Sequence, residues 1–257
     1  MQVEEWDYKP LPAILRTRPP RRTVAHKLAQ AAYAVVTIGS FWALSVYTQA
    51  RFPGGYSYVW NFISDQGGIA KNPGGHDLWN ASVVVFGFLL LPVFWFLHRD
   101  VAVHDRGAAR GATFAGVVAC LGFSGVGVFP EDFRVPHLVV AVAFFFGQFV
   151  AANLYAFALL STRALEFSTW RSRALRASLA PMNVAFVGFF AVPSARRLFY
   201  SPGEPYPGIL STALWEWAMM LGFVVWLFGF LAVVPHECGK RPREFNRLAY
   251  EVNPYRF

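Results

Sequence analysis

Most of the side chains that could do chemistry in this chain lie beside long apolar segments. Glu216 stands inside such a segment, between Trp215 and Trp217. An ionisable side chain in such a position is costly and by default marks a functional site. The other candidates lie in the stretches NFISDQGG, NPGGHDLWN and GVFPEDFRVPHL. Together the candidate residues are Asn61, Ser64, Asp65, His76, Glu131, Asp132, His137 and Glu216.

Hydrolysis is one reaction that these residue types could carry out. Ser64 would be the nucleophile, His76 or His137 the base, and Asp65 or Glu216 the group that orients the base. The serine does not lie in a Gly-x-Ser-x-Gly motif, the sequence typical of one large hydrolase class. A Ser-Asp pair before two glycines is equally typical of a turn or cap, in which both side chains bind backbone amides.

Metal binding is a second interpretation of the same residues. Two histidines and one or more carboxylates form a nitrogen and oxygen ligand set that suits zinc or a similar ion. No pair has a diagnostic spacing, and the chain contains no HExxH motif. The residues in question are His76, His137, Asp65, Asp77, Glu131, Asp132 and Glu216.

A structural polar network is the third interpretation, and we favour it. In this network Glu216 would bind a histidine or one of the arginines Arg134 and Arg196. Asp65 would tie a long loop onto the rest of the molecule, which would satisfy polar groups that are costly to bury. We further expect Asp65, His137 and Glu216 to converge on one pocket.

The elements that position these residues are membrane-spanning helices. The chain has 257 residues, of which 55% are hydrophobic and only 15% are charged, and its mean hydropathy is +0.36. This composition excludes disordered chains, collagen-like chains and disulfide scaffolds, and it argues against a water-soluble enzyme. A spanning helix needs about 20 apolar residues. Six segments qualify and predict an all-α bundle of six transmembrane helices: 28–50, 78–98, 112–129, 137–160, 178–195 and 212–234.

The orientation follows from lysine and arginine, which concentrate on the cytoplasmic side of membrane proteins. Eighteen of the 23 fall in the tails 1–27 and 235–257 and in every second loop. We therefore expect a multi-pass protein of the cell membrane with both termini in the cytoplasm. Loops 51–77, 130–136 and 196–211 would lie outside. The lysines and arginines that give the net charge of +8 would then set the orientation in the membrane and face anionic lipid. No nucleic acid is therefore expected as a partner.

Residues within the spans predict packing more than chemistry. Small residues that recur every four positions along the third span would let neighbouring helices approach closely. Gln148 and Asn153 in the fourth span could line one cavity. Only two of the six histidines lie at span ends, on opposite sides of the membrane, which argues against haem, and we expect no cofactor. The small residues of the third span are Ala112, Gly116, Cys120 and Ser124.

Two stretches resemble a known family. YSYVWNFISDQGG resembles the Ile-Ser-Asp-Leu-Gly stretch of a six-span family, domain of unknown function 998, and GVFPEDFRVPHLVVAVAFF resembles its later Gly-x-x-Pro turn followed by a histidine. The wider group is similar to the FRAG, DRAM and Sfk membrane proteins. The resemblance implies six helices over residues 28–234, no established chemistry, and lipid-linked or scaffolding roles. It is carried by Ser64, Asp65, Gly67, Gly127, Pro130 and His137, with Gln66 in place of the usual leucine.

Two functions from different classes remain open. The first is a non-catalytic accessory or scaffold subunit, whose partners would be membrane lipids and other membrane-protein subunits held by the two tails. The alternative is an outer-face membrane enzyme, a lipid hydrolase or transferase with or without a metal. That enzyme would use Ser64, Asp65, His137 and Glu216. We favour the first function because it requires no assigned catalytic residue.

Overall fold

The described part of the chain folds into six long helices, with one longer loop between the first and the second. The structure, a computed structural model, describes residues 24–102, 104–161, 169–201 and 205–233. Within these ranges there are helices and no strands, which confirms the predicted all-α fold. The helices are α1 (Val24–Gln49), α2 (His76–Val101), α3 (Arg106–Val128), α4 (Arg134–Ser161), α5 (Thr169–Phe199) and α6 (Thr212–Val233).

Each helix is long and apolar enough to cross a bilayer. The shortest, α6, has 22 residues, which at 1.5 Å per residue gives about 33 Å, close to the hydrocarbon thickness of a membrane. The chain is therefore an integral multi-pass membrane protein. The two tails predicted from composition lie largely outside the described residues.

Helix α5 differs most from its predicted span, 178–195. It begins at Thr169 and ends at Phe199, so Pro181, which we placed near the first turn, lies well inside the helix. Arginines that we assigned to flanking loops belong to its terminal turns. Long cationic side chains can reach the membrane surface from such positions, so the helix continues beyond its apolar segment.

Helix α3 lies between α2 and α4 and packs against both through small residues. Ala112, Gly116, Cys120 and Ser124 are all buried. Gly116 lies against the ring of Phe94 in α2, whereas a Cβ at Gly122 would collide with the α4 backbone near Phe144. Small residues therefore allow the close approach on both sides.

Helices α5 and α6 form a second tightly packed pair. A Cβ at Gly222 of α6 would meet the backbone of Met182 in α5. Helix α5 also contacts α4 through stacked rings of Phe149 and Phe186, whose centroids lie 3.9 Å apart. Helix α1 is the least buried of the six, and it joins α6 through Trp42 and Trp217, with ring centroids 5.7 Å apart.

The connection between α1 and α2 folds onto one end of the bundle, which we call the loop face. Part of it forms a 3-10 helix, Ile63–Gly67, whose five residues are all buried. The connection also turns at Gly54 and Gly55, which both adopt positive φ, +76° and +89°. The α3–α4 connection and a second 3-10 helix, Gly208–Leu210, lie at the same end.

Candidate functional site

The candidate site is built around the buried 3-10 helix Ile63–Gly67. Its first turn is closed by the carboxylate of Asp65, which accepts a hydrogen bond from the backbone N–H of Phe62 at 2.9 Å. The N–H groups at the start of a helix have no intrahelical partner. A carboxylate three residues into the turn satisfies one of them and keeps the short helix in place.

Helix α6 supplies the next contact. The backbone N–H of Ile63 donates to a carboxylate oxygen of Glu216 at 2.7 Å, and Glu216 is only 6% exposed. The indole N–H of Trp217 donates to the carbonyl of Asn61 at 3.1 Å. Two consecutive residues of α6 therefore hold the start of the 3-10 helix through its main chain.

A lysine connects two carboxylates beside this helix. The ammonium of Lys71 lies 2.7 Å from Asp65 and 3.0 Å from Glu131. We call Asp65, Lys71, Glu131 and Glu216 the carboxylate cluster, because Glu216 interacts electrostatically with the other three. Gly68 makes room for the cluster, since a Cβ there would collide with the carboxylate of Glu131.

Burial and charge change the proton affinity of the groups in the loop. Burial, together with a hydrogen bond to the neighbouring carboxyl of Asp65, raises the pKa of Glu131 from 4.5 to about 7, and Lys71 only partly opposes this. Burial lowers the pKa of Lys71, but its hydrogen bonds to Asp65 and Glu131 outweigh burial and leave that pKa raised. Protonation of Glu131 therefore falls near neutral pH.

Contacts with other elements fix the rest of the connection. Asp132, at the α3–α4 turn, accepts the N–H of Ile69 at 2.9 Å. Gln66 accepts hydrogen bonds from two hydroxyls of α1, Ser45 at 3.2 Å and Thr48 at 2.7 Å. Asn80 of α2 donates to the carbonyl of Gly67 at 2.9 Å. The 3-10 helix and the residues that follow it are thus fastened to α1, α2 and the α3–α4 turn as well as to α6.

Comparison with protein families identifies the chain at the level of a family. The family model described as "Protein of unknown function (DUF998)" matches residues 22–233. The chain belongs to the DUF998 family. The match takes in all six helices and the whole loop face, and it confirms the resemblance drawn from the ISDQGG stretch and the turn before His137. No curated protein and no solved structure matches the chain.

His76 and His137 of this DUF998 chain make their polar contacts outside the carboxylate cluster. The Nδ1 atom of His137 lies 2.8 Å from the carbonyl oxygen of Phe129. His76 lies 3.2 Å from the carbonyl of Asn72 through Nδ1 and 3.2 Å from the carboxylate of Asp77 through Nε2. Of the three residues that we expected to converge, Asp65 and Glu216 bind neighbouring backbone N–H groups, whereas His137 binds the α3–α4 turn.

Two candidates remain, Asn61 and Ser64, and only Asn61 has a hydrogen-bond partner in the described part of the chain. The side-chain oxygen of Asn61 accepts the N–H of Ser57 at 2.8 Å. Ser64 is 9% exposed, and its hydroxyl has no hydrogen-bond partner among the described residues, a histidine included. No group of three or more His, Cys, Asp or Glu side chains suited to a metal ion occurs in the ranges that the structure describes.

Two participants were not found by sequence reasoning. The donor to Glu216 is the backbone N–H of Ile63, instead of the histidine or arginine that we expected, and Arg196 donates to the hydroxyl of Tyr206. Lys71 is the second, and the sequence analysis assigned it no role at the site. One available signal was its isolation, since it is the only lysine between residues 28 and 239. It also follows Asp65 by six positions in the same loop.

Proposed function

We propose that this membrane protein is a non-catalytic accessory or scaffold subunit of a membrane complex. The observation that carries the proposal is that polar side chains at the loop face bind the main chain of the α1–α2 connection. Glu216, Asp65 and Asp132 each accept a backbone N–H of the α1–α2 connection. These carboxylates therefore hold a loop on the bundle, and such a rigid face suits attachment of a partner.

The hydrolase alternative has less support from the same residues. A catalytic serine needs a base within hydrogen-bond reach, or one water away. The ring nitrogens of His76 and His137 that have polar contacts lie against backbone carbonyls and Asp77, and the hydroxyl of Ser64 has no partner among the described residues. Catalysis would require these groups to exchange several existing contacts.

The surface around the loop face also favours a partner. Tyr58, Trp60, Ile69 and Phe133 are each about half exposed there. Aromatic residues in these positions suit the membrane interface and the centres of protein contacts alike. The proposal assigns further contacts to the tails 1–27 and 235–257, whose six and five lysines and arginines would bind acidic segments of neighbouring subunits or anionic lipids.

This proposal places the protein in the cell membrane with both termini in the cytoplasm, on the strength of the lysine and arginine distribution. The test is purification of the tagged full-length chain in a mild detergent, followed by native mass spectrometry. We expect a second membrane protein in a fixed stoichiometric ratio. Deletion of residues 1–22 should lower its occupancy without loss of the folded bundle, because the first span of the described residues begins at Leu28.

The control is a chain of full length in which Arg16, Arg18, Arg21 and Arg22 are replaced by glutamine. If charge in the tail binds the partner, this variant should lose it as the deletion does. A chain that purifies alone, and that hydrolyses an ester or lipid probe in a manner abolished by Ser64→Ala, would overturn the proposal in favour of the enzyme.

A further inference from the structure

A partly open cavity of about 30 Å³ lies between α1, α2, α3, α4 and α6. Thr37 of α1, Leu90 of α2 and Gln148 of α4 line it, and each lies about halfway along its helix. Because these helices are long enough to cross the membrane, the cavity lies near the middle of the bilayer. The sequence suggested that Gln148 and Asn153 would line one cavity, but Asn153 exchanges hydrogen bonds with Asn183 of α5 instead.

The surface that faces this cavity is almost wholly apolar. Aromatic rings supply much of it, including those of Phe41, Phe86, Phe123 and Phe144. A buried water needs about two to four polar partners, and a cavity lined by hydrocarbon stays dry. An empty cavity, in turn, leaves the atoms that line it without contacts on one side. A hydrocarbon group would restore those contacts and would need no hydrogen bond.

The opening of the cavity lies between α1 and α6. Ten of the residues that line the cavity are buried, and the other two, Trp42 of α1 and Val224 of α6, are partly exposed. Leu221 and Val225, which lie beside Val224 on α6, are 52% and 48% exposed. Such exposed apolar side chains on a spanning helix face lipid. The medium at the opening is therefore the hydrocarbon of the bilayer.

We propose that this cavity binds the methyl end of an acyl chain of a bilayer phospholipid. The hydrocarbon core of a bilayer is about 30 Å thick, so the acyl chains of the two leaflets end near its middle, about 15 Å from either edge. The cavity lies at the same depth. A chain end can therefore enter between α1 and α6 while the headgroup of the lipid stays at the membrane surface.

The size of the cavity restricts what its interior can hold. One water needs about 10–15 Å³ measured in this way, so about 30 Å³ admits about two or three groups of similar size. The last carbons of a linear chain meet this limit, whereas the fused rings of a sterol do not. Because the cavity is partly open, the rest of the chain can continue into the bilayer past Trp42 and Val224. Lining residues of lipid sites supply apolar contacts of this kind.

The test places the purified full-length protein in nanodiscs of phosphatidylcholine. A small fraction of this lipid carries a diazirine next to the methyl end of its palmitoyl chain, and mass spectrometry locates the residues that are cross-linked after irradiation. We expect cross-links inside the cavity, at Phe86 and Phe223, as well as on the lipid-facing Leu221 and Val225. A phosphatidylcholine with the diazirine beside its ester group should not label Phe86 or Phe223.

Two variants close the cavity from opposite sides. Val224→Phe places a larger side chain at the opening, and Leu90→Phe fills the interior from α2. Each should abolish the labelling of Phe86 and Phe223, and a thermal midpoint near that of the unchanged protein shows that the variant is folded. Val225→Phe is the matched control, because it makes the same substitution at a lipid-facing residue outside the cavity wall. It should leave the labelling inside the cavity unchanged.

Thr37→Val tests the chemical nature of the occupant. It removes a hydroxyl from the wall and keeps the shape of the side chain, so labelling inside the cavity should not change if the occupant is hydrocarbon. A loss of labelling would require a polar occupant and would overturn the proposal. The proposal also fails if the unchanged protein is labelled only at its lipid-facing residues, or if Val224→Phe and Val225→Phe lower the labelling inside the cavity equally. The cavity would then be an unfilled packing defect.

Discussion

The carboxylate of Glu216 accepts the backbone N–H of Ile63 at 2.7 Å, although 153 positions separate the two residues in the chain. Both residues are buried, so the bond lies where water competes little for either group. It joins the loop after the first spanning helix to the start of the last one. The loop face therefore depends on contacts between distant parts of the sequence.

Substitutions at Glu216 should show how much this bond contributes. Glu216→Ala leaves the N–H of Ile63 unpaired, and we expect a loss of about 1–3 kcal/mol of stability. Glu216→Gln keeps an acceptor oxygen and should lose less. Thermal unfolding in detergent measures both, with Asp77→Ala, an acidic side chain that is 95% exposed, as the control. An alanine variant as stable as the control would contradict the assignment.

Stability should depend on pH through Glu131. Its pKa is raised from 4.5 to about 7 in the folded protein, so the folded state binds the proton more tightly than the unfolded state. The contribution of Glu131 is then most favourable below about pH 4.5 and is lost as the pH rises through about 7. Burial and the Asp65 carboxyl disfavour the ionised form, and Lys71 offsets them only partly.

The measurement is the thermal midpoint of the purified protein and of Glu131→Gln at several values between about pH 5 and 8. The difference between the two proteins isolates this carboxyl from the histidines, which also titrate in that range. Glu131→Gln should gain relative stability as the pH rises. A difference that does not vary with pH would show that Glu131 keeps an ordinary proton affinity.

Close packing of α3 against α4 should make Gly122 intolerant of a side chain. A Cβ there would lie 2.6 Å from the backbone nitrogen of Phe144 and 2.8 Å from the carbonyl oxygen of Val140. We expect Gly122→Ala to lower stability by about 1–3 kcal/mol, the usual cost of overpacking. Gly39→Ala in α1 is the matched control, because a Cβ at Gly39 meets nothing within 4 Å. Similar thermal midpoints would mean that α3 and α4 lie further apart.

Cysteine labelling tests the predicted topology. In a background with Cys238→Ser, Pro73→Cys should react with a membrane-impermeant thiol reagent added to intact cells, and Arg106→Cys should react only after permeabilisation. Both positions are exposed, and the native Cys120 is buried. The expectation rests on the concentration of lysine and arginine in the tails and alternate loops. The reverse labelling pattern would invert the orientation.

Hydropathy was enough to predict the number and order of the helices, because each spanning segment needs a long apolar stretch. The ends of α5 were not predictable in this way. Arg171 and Arg197 belong to the helix although they interrupt the apolar pattern, since backbone hydrogen bonding continues wherever the polar side chains can reach the membrane surface.

The polar residues of the loop face were recognisable by type, but their partners were not. Glu216 was identified as a candidate because it is a carboxylate in an apolar segment. Its hydrogen-bond donor is the backbone N–H of Ile63, and a pattern of side chains does not predict a backbone donor. Gln148 and Asn153 looked alike in the sequence. The packing of α5, which the sequence does not show, brings Asn183 within hydrogen-bond distance of Asn153.

The attachment of the 3-10 helix to α6 has a consequence for biosynthesis. The loop leaves the ribosome after the first span, but the carboxylate that receives the N–H of Ile63 and the indole that binds Asn61 belong to the last span. Until α6 enters the bilayer, these backbone groups must stay hydrated or bind a chaperone. The loop can reach its final arrangement only after all six spans are inserted. In a chain whose synthesis stops before α6, the loop would stay unattached and accessible to chaperones and proteases.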